Sequence, residues 1–351
     1  MHQHQHQHRQ LSERDRSILR GVIEAYLLTG EPVSSRQLAK SEQHGLSAAS
    51  LRNIMADLDD MGLLKQPHTS AGRVPTAAGY HLFIDSLMEA RRPSDEDRRT
   101  IEDELGGSGG GGEQLTTAAS QLLSRLSRQI GIVVTPDLGT AALRTVEFVP
   151  LSGNKVLCVT VSSTGFIDNK VFELEQQLER EELVRVSNYL TESFSGLTLR
   201  QIRERLLALM ADERAEVDEL LGRAIVLAGQ GLELSQGSRL VVEGTESLLV
   251  QPELSDLPRI RRLFETFADK ARVVALLNRS VEGSGVRVYI GEESDLTSEL
   301  DFSLILRRYE VGGRCAGSLG LFGPSRMEYA RLIPLVDYLG ERLSAALSAT
   351  M

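Results

Sequence analysis

Residues 11–76 hold three short amphipathic helices followed by a polar, proline-flanked hairpin, and this order constrains the fold more than any other feature of the chain. Ile18, Leu19, Val22, Ile23, Tyr26 and Leu27 recur at helical spacing behind Ser12 and Asp15, which supply a cap, and the stretch Thr29 to Pro32 stops the helix. Ser34, with Gln37 in the capping-box position, opens a second helix that ends at His44 and Gly45. Ser47 caps a third, whose stripe Leu51, Ile54, Met55, Leu58 and Met61 closes at Gly62. Leu63 to Pro67 then reads as a strand, His68 to Arg73 as a polar tip and Val74 to Thr76 as the return strand, with prolines acceptable only at an edge. A fourth helix is expected from Ala77 to about Arg92, carrying Tyr80, Phe83, Ile84, Leu87 and Met88 on one side.

This is the order of a winged helix-turn-helix, in which the second helix of the pair enters the DNA major groove and its N-terminal residues meet base edges. The stripe Leu51, Met55 and Leu58 must face the core, which leaves Ser47, Ala49, Ser50, Arg52 and Asn53 at the exposed end. Arg52 suits a bidentate contact to guanine, Asn53 one to adenine and Ala49 a thymine methyl, although Ser47 also reads as a cap only and Asn53 as a solvated helix residue. At the tip, His68, Thr69, Ser70 and Arg73 suit phosphates or an adjacent minor groove, with a solvated turn as the competing reading; Arg36 and Lys40 suit phosphate contact. Asp57, Asp59 and Asp60 lie too far along the third helix to approach DNA.

With 351 residues the chain exceeds one typical core. Residues 1–10, MHQHQHQHRQ, read as an affinity tag. Residues 93–114 turn acidic and then glycine-rich, which reads as a linker. A helix from Leu115 to Arg128 follows, then strands over 130–135, 144–150, 156–162 and 167–174. A helical stretch runs from Arg180 to Leu227 with a break near Gly196. Further strands are expected over 273–277, 286–290, 303–309 and 316–322. The last helix is expected from Ser325, capped with Glu328, to Leu347, bent near Leu332 by Pro334. The larger part is therefore α+β. Leu206, Leu207, Leu209 and Met210 in succession exceed what a helix hairpin buries, which points to pairing across a two-fold axis or to packing on the neighbouring sheet.

A net charge of −10 argues against a protein coated in nucleic acid but allows a small DNA-binding face. No apolar run approaches the roughly 18 residues a membrane span needs, no secretion signal opens the chain, and a cytoplasmic location is expected. Cys158 and Cys315 read as buried small hydrophobes, with no metal site and no cofactor expected. No Cys pair stands at metal spacing, and the glycines over 106–112 follow no expected strand and precede no Lys-Ser/Thr pair, so they form neither a nucleophile elbow nor a nucleotide-binding loop, which speaks against an enzyme.

The run LSAASLRNIMADLDDMGLL over 46–64 and QPHTSAGRVPT over 66–76 resemble the signature of HrcA, the bacterial heat-inducible transcription repressor family. GEPVSSR over 30–36, GYHLFIDSL over 79–87 and GSLGLFGPSRMEYAR over 317–331 fit as well; Ala48, where the family often has proline, and Pro334 depart from it. The resemblance implies a winged-helix domain over 11–92, a GAF-like domain from 115–177 and 249–351, and an inserted dimerisation segment over 178–248. It also implies a homodimer on double-stranded operator DNA with inverted half-sites before chaperone genes, release under heat stress, and activity promoted by the GroEL chaperonin. The alternative is a winged-helix repressor controlled by a small metabolite bound in the GAF-like domain.

Overall fold

The computed structural model describes residues 11–40, 45–69, 71–89, 91–107, 112–135, 142–163, 166–198, 240–246, 285–294 and 301–349, with shorter pieces between 201 and 228 and at 261, 273, 274, 277 and 297. The tag-like residues 1–10, the candidate Ser70, and Leu206, Leu207, Leu209 and Met210 lie outside them. The chain mixes helices and antiparallel sheets and divides into two compact units. The first comprises residues 1–93, 289–304 and 323–335; the second comprises 94–288, 305–322 and 336–351.

In the first unit, α1 (Glu13–Thr29), α2 (Ser35–Lys40) and α3 (Ala48–Asp60) precede a two-stranded antiparallel hairpin, β1 (Leu64–Lys65) and β2 (Val74–Pro75). The caps form as the sequence pattern requires. The Asp15 N–H donates to Ser12 Oγ at 3.2 Å while the Ser12 N–H donates to Asp15 Oδ2 at 3.1 Å, and Gln37 and Ser34 repeat the exchange. Ile18, Leu19, Val22 and Ile23 of α1 are buried, as are Leu51, Met55 and Leu58 of α3. These stripes form the core because each helix turns the same side inward every three or four residues.

The expected fourth helix is shorter than its pattern: α4 (Ala77–Leu82) widens into a π turn over Phe83–Leu87, whose last carbonyl accepts from the Arg20 guanidinium. Later segments complete this unit, which local periodicity does not reveal. Tyr329 packs against Tyr80 with ring centroids 5.6 Å apart, and its hydroxyl lies 2.8 Å from Ser303 Oγ. His81 Nε2 sits 2.8 Å from Glu293 Oε2. Burial pushes the Tyr80 and Tyr329 hydroxyls well above the usual tyrosine range.

The second unit begins with α5 (Asp95–Gly107) and α6 (Gly112–Ser127). Most of the stretch read as linker is thus helical: Asp95, Glu96 and Asp97 suit a helix N-terminus, and Ile101 and Leu105 bury one side. β3 (Ile130–Val134) pairs with β7 (Leu240–Glu243) and with β10 (Arg314–Pro324) in a five-stranded sheet ordered β7-β3-β10-β9-β8, where β8 is Val286–Ile290 and β9 is Phe302–Val311. Gly131 lets α6 approach β3 closely, since a Cβ there would stand 2.2 Å from the Ser120 carbonyl oxygen. The chain ends in α8 (Tyr329–Ala349). It starts after the expected cap: the Ser325 N–H is tied to the Asp301 carbonyl at 3.1 Å and its hydroxyl has no partner among the described residues. Pro334 lies inside α8, and the carbonyl it leaves free, that of Ala330, accepts from the Arg91 N–H at 2.8 Å.

Between the neighbouring strands β3 and β7 the chain builds a separate three-stranded sheet, β4 (Leu143–Pro150), β5 (Lys155–Ser162) and β6 (Ile167–Glu173), with α7 (Arg180–Phe194) on it. Val146, Phe148, Val156 and Cys158 meet Leu183, Val186, Leu190 and Phe194 in one buried cluster. A division at residue 177 therefore cuts through a single packing unit, because these strands pair with each other and not with the five-stranded sheet. The opposite face of the sheet mixes apolar and polar residues, with Glu147, Val159 and Asn169 in one row. Register places Val149, Leu157 and Val171 in one row and Val161 beside Ile167 in another, and Val149, Ile167 and Val171 are 40, 46 and 54% exposed. Two further expectations change. Val273, Val274 and Leu277 are helical where a strand was expected, and Cys315 is exposed where burial was expected, whereas Cys158 is buried.

Candidate nucleic-acid interface

Ser47 stands in extended backbone before α3, and its Oγ accepts the Ser50 N–H at 3.2 Å, so capping engages Ser47 and aligns Ser50 with it. Burying Leu51, Met55 and Leu58 turns Ala49, Ser50, Arg52 and Asn53 outward, and all four are exposed. Arg36 and Lys40 on α2 are exposed too. Arg36, Lys40 and Arg52 make no ion pair among the described residues, so their charge is available to a polyanion. α2 and α3 pack together, which gathers these side chains at one end of a small unit.

The hairpin beside them is more tightly built than its polar sequence announces. His68 and Thr69 are exposed at the tip. Gln66 closes the tip from within, its Nε2 donating to the carbonyls of Thr69 and Ala71, each at 3.0 Å. Arg73 departs from the other candidates. It is half-buried, its Nε lies 2.8 Å from Asp59 Oδ2, and its backbone exchanges two 2.9 Å hydrogen bonds with Val33. Sequence reasoning missed Gln66 and the partner role of Asp59; glutamine beside proline carries no local signal, and Asp59 and Arg73 are joined only by the fold.

No group of three or more His, Cys, Asp or Glu side chains placed to hold a metal ion occurs among the described residues, and no described helix is long and apolar enough to cross a membrane.

Exposed Arg36, Lys40 and Arg52 at one end of a small helical unit suit a polyanion, and comparisons with known proteins make the class a transcription repressor. The heat-inducible transcription repressor HrcA of Geobacter sulfurreducens is 40% identical over 337 residues, covering 96% of this chain and 98% of the relative. That of Xanthomonas campestris pv. campestris is 42% identical over 337 residues, covering 96% of each chain. Residues 113–333 match the family described as HrcA protein C terminal domain. The chain belongs to the HrcA family of heat-inducible transcription repressors, which are not enzymes. A crystal structure of a hypothetical protein at 2.2 Å resolution shares the fold, with a TM-score of 0.63 at 24% identity over 97% of this chain and 100% of that one.

Proposed function

We propose that the first unit is a winged helix-turn-helix that binds double-stranded operator DNA, that two chains read the two halves of an inverted repeat, and that the genes so repressed encode chaperones. The exposed row Ala49, Ser50, Arg52 and Asn53, set against the buried row Leu51, Met55 and Leu58 of the same helix, carries this reading. A helix packed so can lay only its polar side in the major groove, where Arg52 matches guanine, Asn53 adenine and Ala49 the thymine methyl. Arg36, Lys40, His68 and Thr69 supply the flanking phosphate contacts.

The five-stranded sheet with α6 serves as the GAF-like domain, and the segment between β3 and β7 as the inserted dimerisation segment. Two largely apolar rows on the outer face of β4, β5 and β6 support that role. A sheet with one face on a helix and the other in water alternates apolar and polar residues, yet here the second face carries Val149, Leu157 and Val171 in one row and Val161 and Ile167 in another, with Glu147, Val159 and Asn169 between them. A second copy of the chain is the occupant we assign to it, and two half-sites require two recognition helices. Location in the cytoplasm and support by the GroEL chaperonin follow from the family resemblance.

The test is protection of promoter DNA upstream of chaperonin genes by the purified full chain. Protection of two inverted half-sites, lost on heating, is expected. Equal binding to scrambled DNA of the same length at the same salt overturns the reading.

A further inference from the structure

We propose that Asp59, Arg73 and Gln66 are positioning residues that fix the attitude of the hairpin to the recognition helix, and that Arg73 directs its charge to Asp59 and not to a phosphate; this rests on the DNA-binding reading above. Three constraints converge on the return strand. The Arg73 N–H and carbonyl both bond to Val33, two residues before α2, at 2.9 Å. Gly72 is pressed against the same place, where a Cβ would stand 2.4 Å from the Val33 carbonyl carbon and oxygen. The Arg73 side chain then reaches the last turn of α3, with Nε 2.8 Å from Asp59 Oδ2 and the two side chains only 19 and 30% exposed. A pair held in partial shelter from water orients more strongly than one on an open surface.

Asp59 lies on the same rigid helix as Arg52 and Asn53, so the ion pair ties the strand to the element that presents the base-reading side chains. At the far end, the Gln66 amide holds the carbonyls on both sides of residue 70, and the Ala71 N–H donates to the His68 carbonyl at 2.8 Å. Together these interactions anchor the hairpin at its base and shape it at its tip, so His68 and Thr69 arrive at the duplex in one arrangement. Binding then avoids part of the ordering cost that a loose loop incurs.

The charge of Asp59 makes the proposal separable from a direct contact. Removing a negative charge from a DNA-binding unit favours binding through the long-range field, whereas removing the partner of a positioning arginine weakens it. The experiment titrates operator and random DNA with the full chain at several salt concentrations, for Asp59→Asn, Arg73→Ala, their combination and Gln66→Met, with melting temperature and dimer mass confirming folded protein. Asp59→Asn and Arg73→Ala are each expected to weaken operator binding roughly fivefold, with the combination no worse than either and the salt slope unchanged. Gln66→Met is expected to weaken operator binding more than random binding. If either single variant fails to fold, the exchange Asp59→Arg with Arg73→Asp decides: recovery of operator affinity supports the pair, and continued weakness overturns it. Asp59→Asn binding as well as the parent, with Arg73→Ala lowering the salt slope by about one, makes Arg73 a phosphate contact and overturns the proposal alone. A folded parent that binds no operator DNA overturns the DNA-binding reading and this proposal together.

Discussion

The exposed end of α3 and the outer face of the β4-β5-β6 sheet both present side chains to solvent, yet one shows Ala49, Ser50, Arg52 and Asn53 and the other shows Val149, Ile167 and Val171 beside Glu147 and Asn169. The contrast teaches what each surface meets. Short polar and cationic groups keep their hydration in the free protein and exchange it for phosphates and base edges, so they tolerate exposure. Branched apolar groups on a flat sheet gain nothing from water and everything from a matching apolar face. The hairpin adds a third kind of residue, Gln66 and Arg73, polar in sequence yet engaged within the protein.

If the two faces differ in this way, a charge on the sheet is the most damaging change. Val171→Glu places a carboxylate in the row of Val149 and Leu157 on the outer face, and the chain is expected to sediment as a monomer with its secondary structure intact. Affinity for the inverted repeat should fall by about a hundredfold or more, while a single half-site binds as before. A dimer of unchanged mass would remove the sheet face from the assembly.

Next in size is Arg52→Ala, expected to lower operator affinity by roughly 1–3 kcal/mol and to relax preference at one base pair. Dimer mass should not change, which separates the two surfaces experimentally. Wild-type strength in a gel shift would show that Arg52 reads no base.

Ser47→Ala removes the acceptor of the Ser50 N–H and should cost about 1 kcal/mol of stability in the first unit. Calorimetry checks this. An unchanged melting temperature with weakened DNA binding would move Ser47 from the cap to the interface and sharpen the contrast further.

The smallest effect concerns the support of the apolar sheet. Glu182 in the first turn of α7 accepts from the Glu179 N–H and pairs with Arg223, and these hold its carboxyl below the usual value of 4.5. A carboxyl lowered in the folded state stabilises above its ordinary pKa, and that contribution disappears as the pH falls below about 4.5. Glu182→Gln should therefore flatten the loss of melting temperature between neutral and acid solution. An identical pH profile would show that the cap adds nothing to the unit.

Much of the candidate interface was legible because its signals are local. Ser12 with Asp15, Ser34 with Gln37 and Ser47 with its following stripe mark three helices through neighbours three and four residues apart, and the same stripe decides which residues of α3 face outward. Val273, Val274 and Leu277 show the limit of this reasoning, since a short run of branched residues has no periodicity that separates a strand from a buried helix. Likewise the linker reading of 93–114 followed its glycines and passed over Ile101 and Leu105, which are buried at helical spacing.

By itself, then, the sequence determined the three N-terminal helices, the hairpin after them, the face of α3 left to solvent, most of the strands and the family to which the chain belongs. Local spacing, capping chemistry and motif order suffice for these. Only the tertiary structure decided that β4, β5 and β6 leave the sheet of their neighbours, that Tyr329 and Ser303 complete the first unit, that Arg91 takes up the carbonyl freed by Pro334, and that Arg73 turns to Asp59. In each case the partners are distant along the chain or set by register, and their pairing depends on which buried faces close against one another, a choice made by the packed core as a whole.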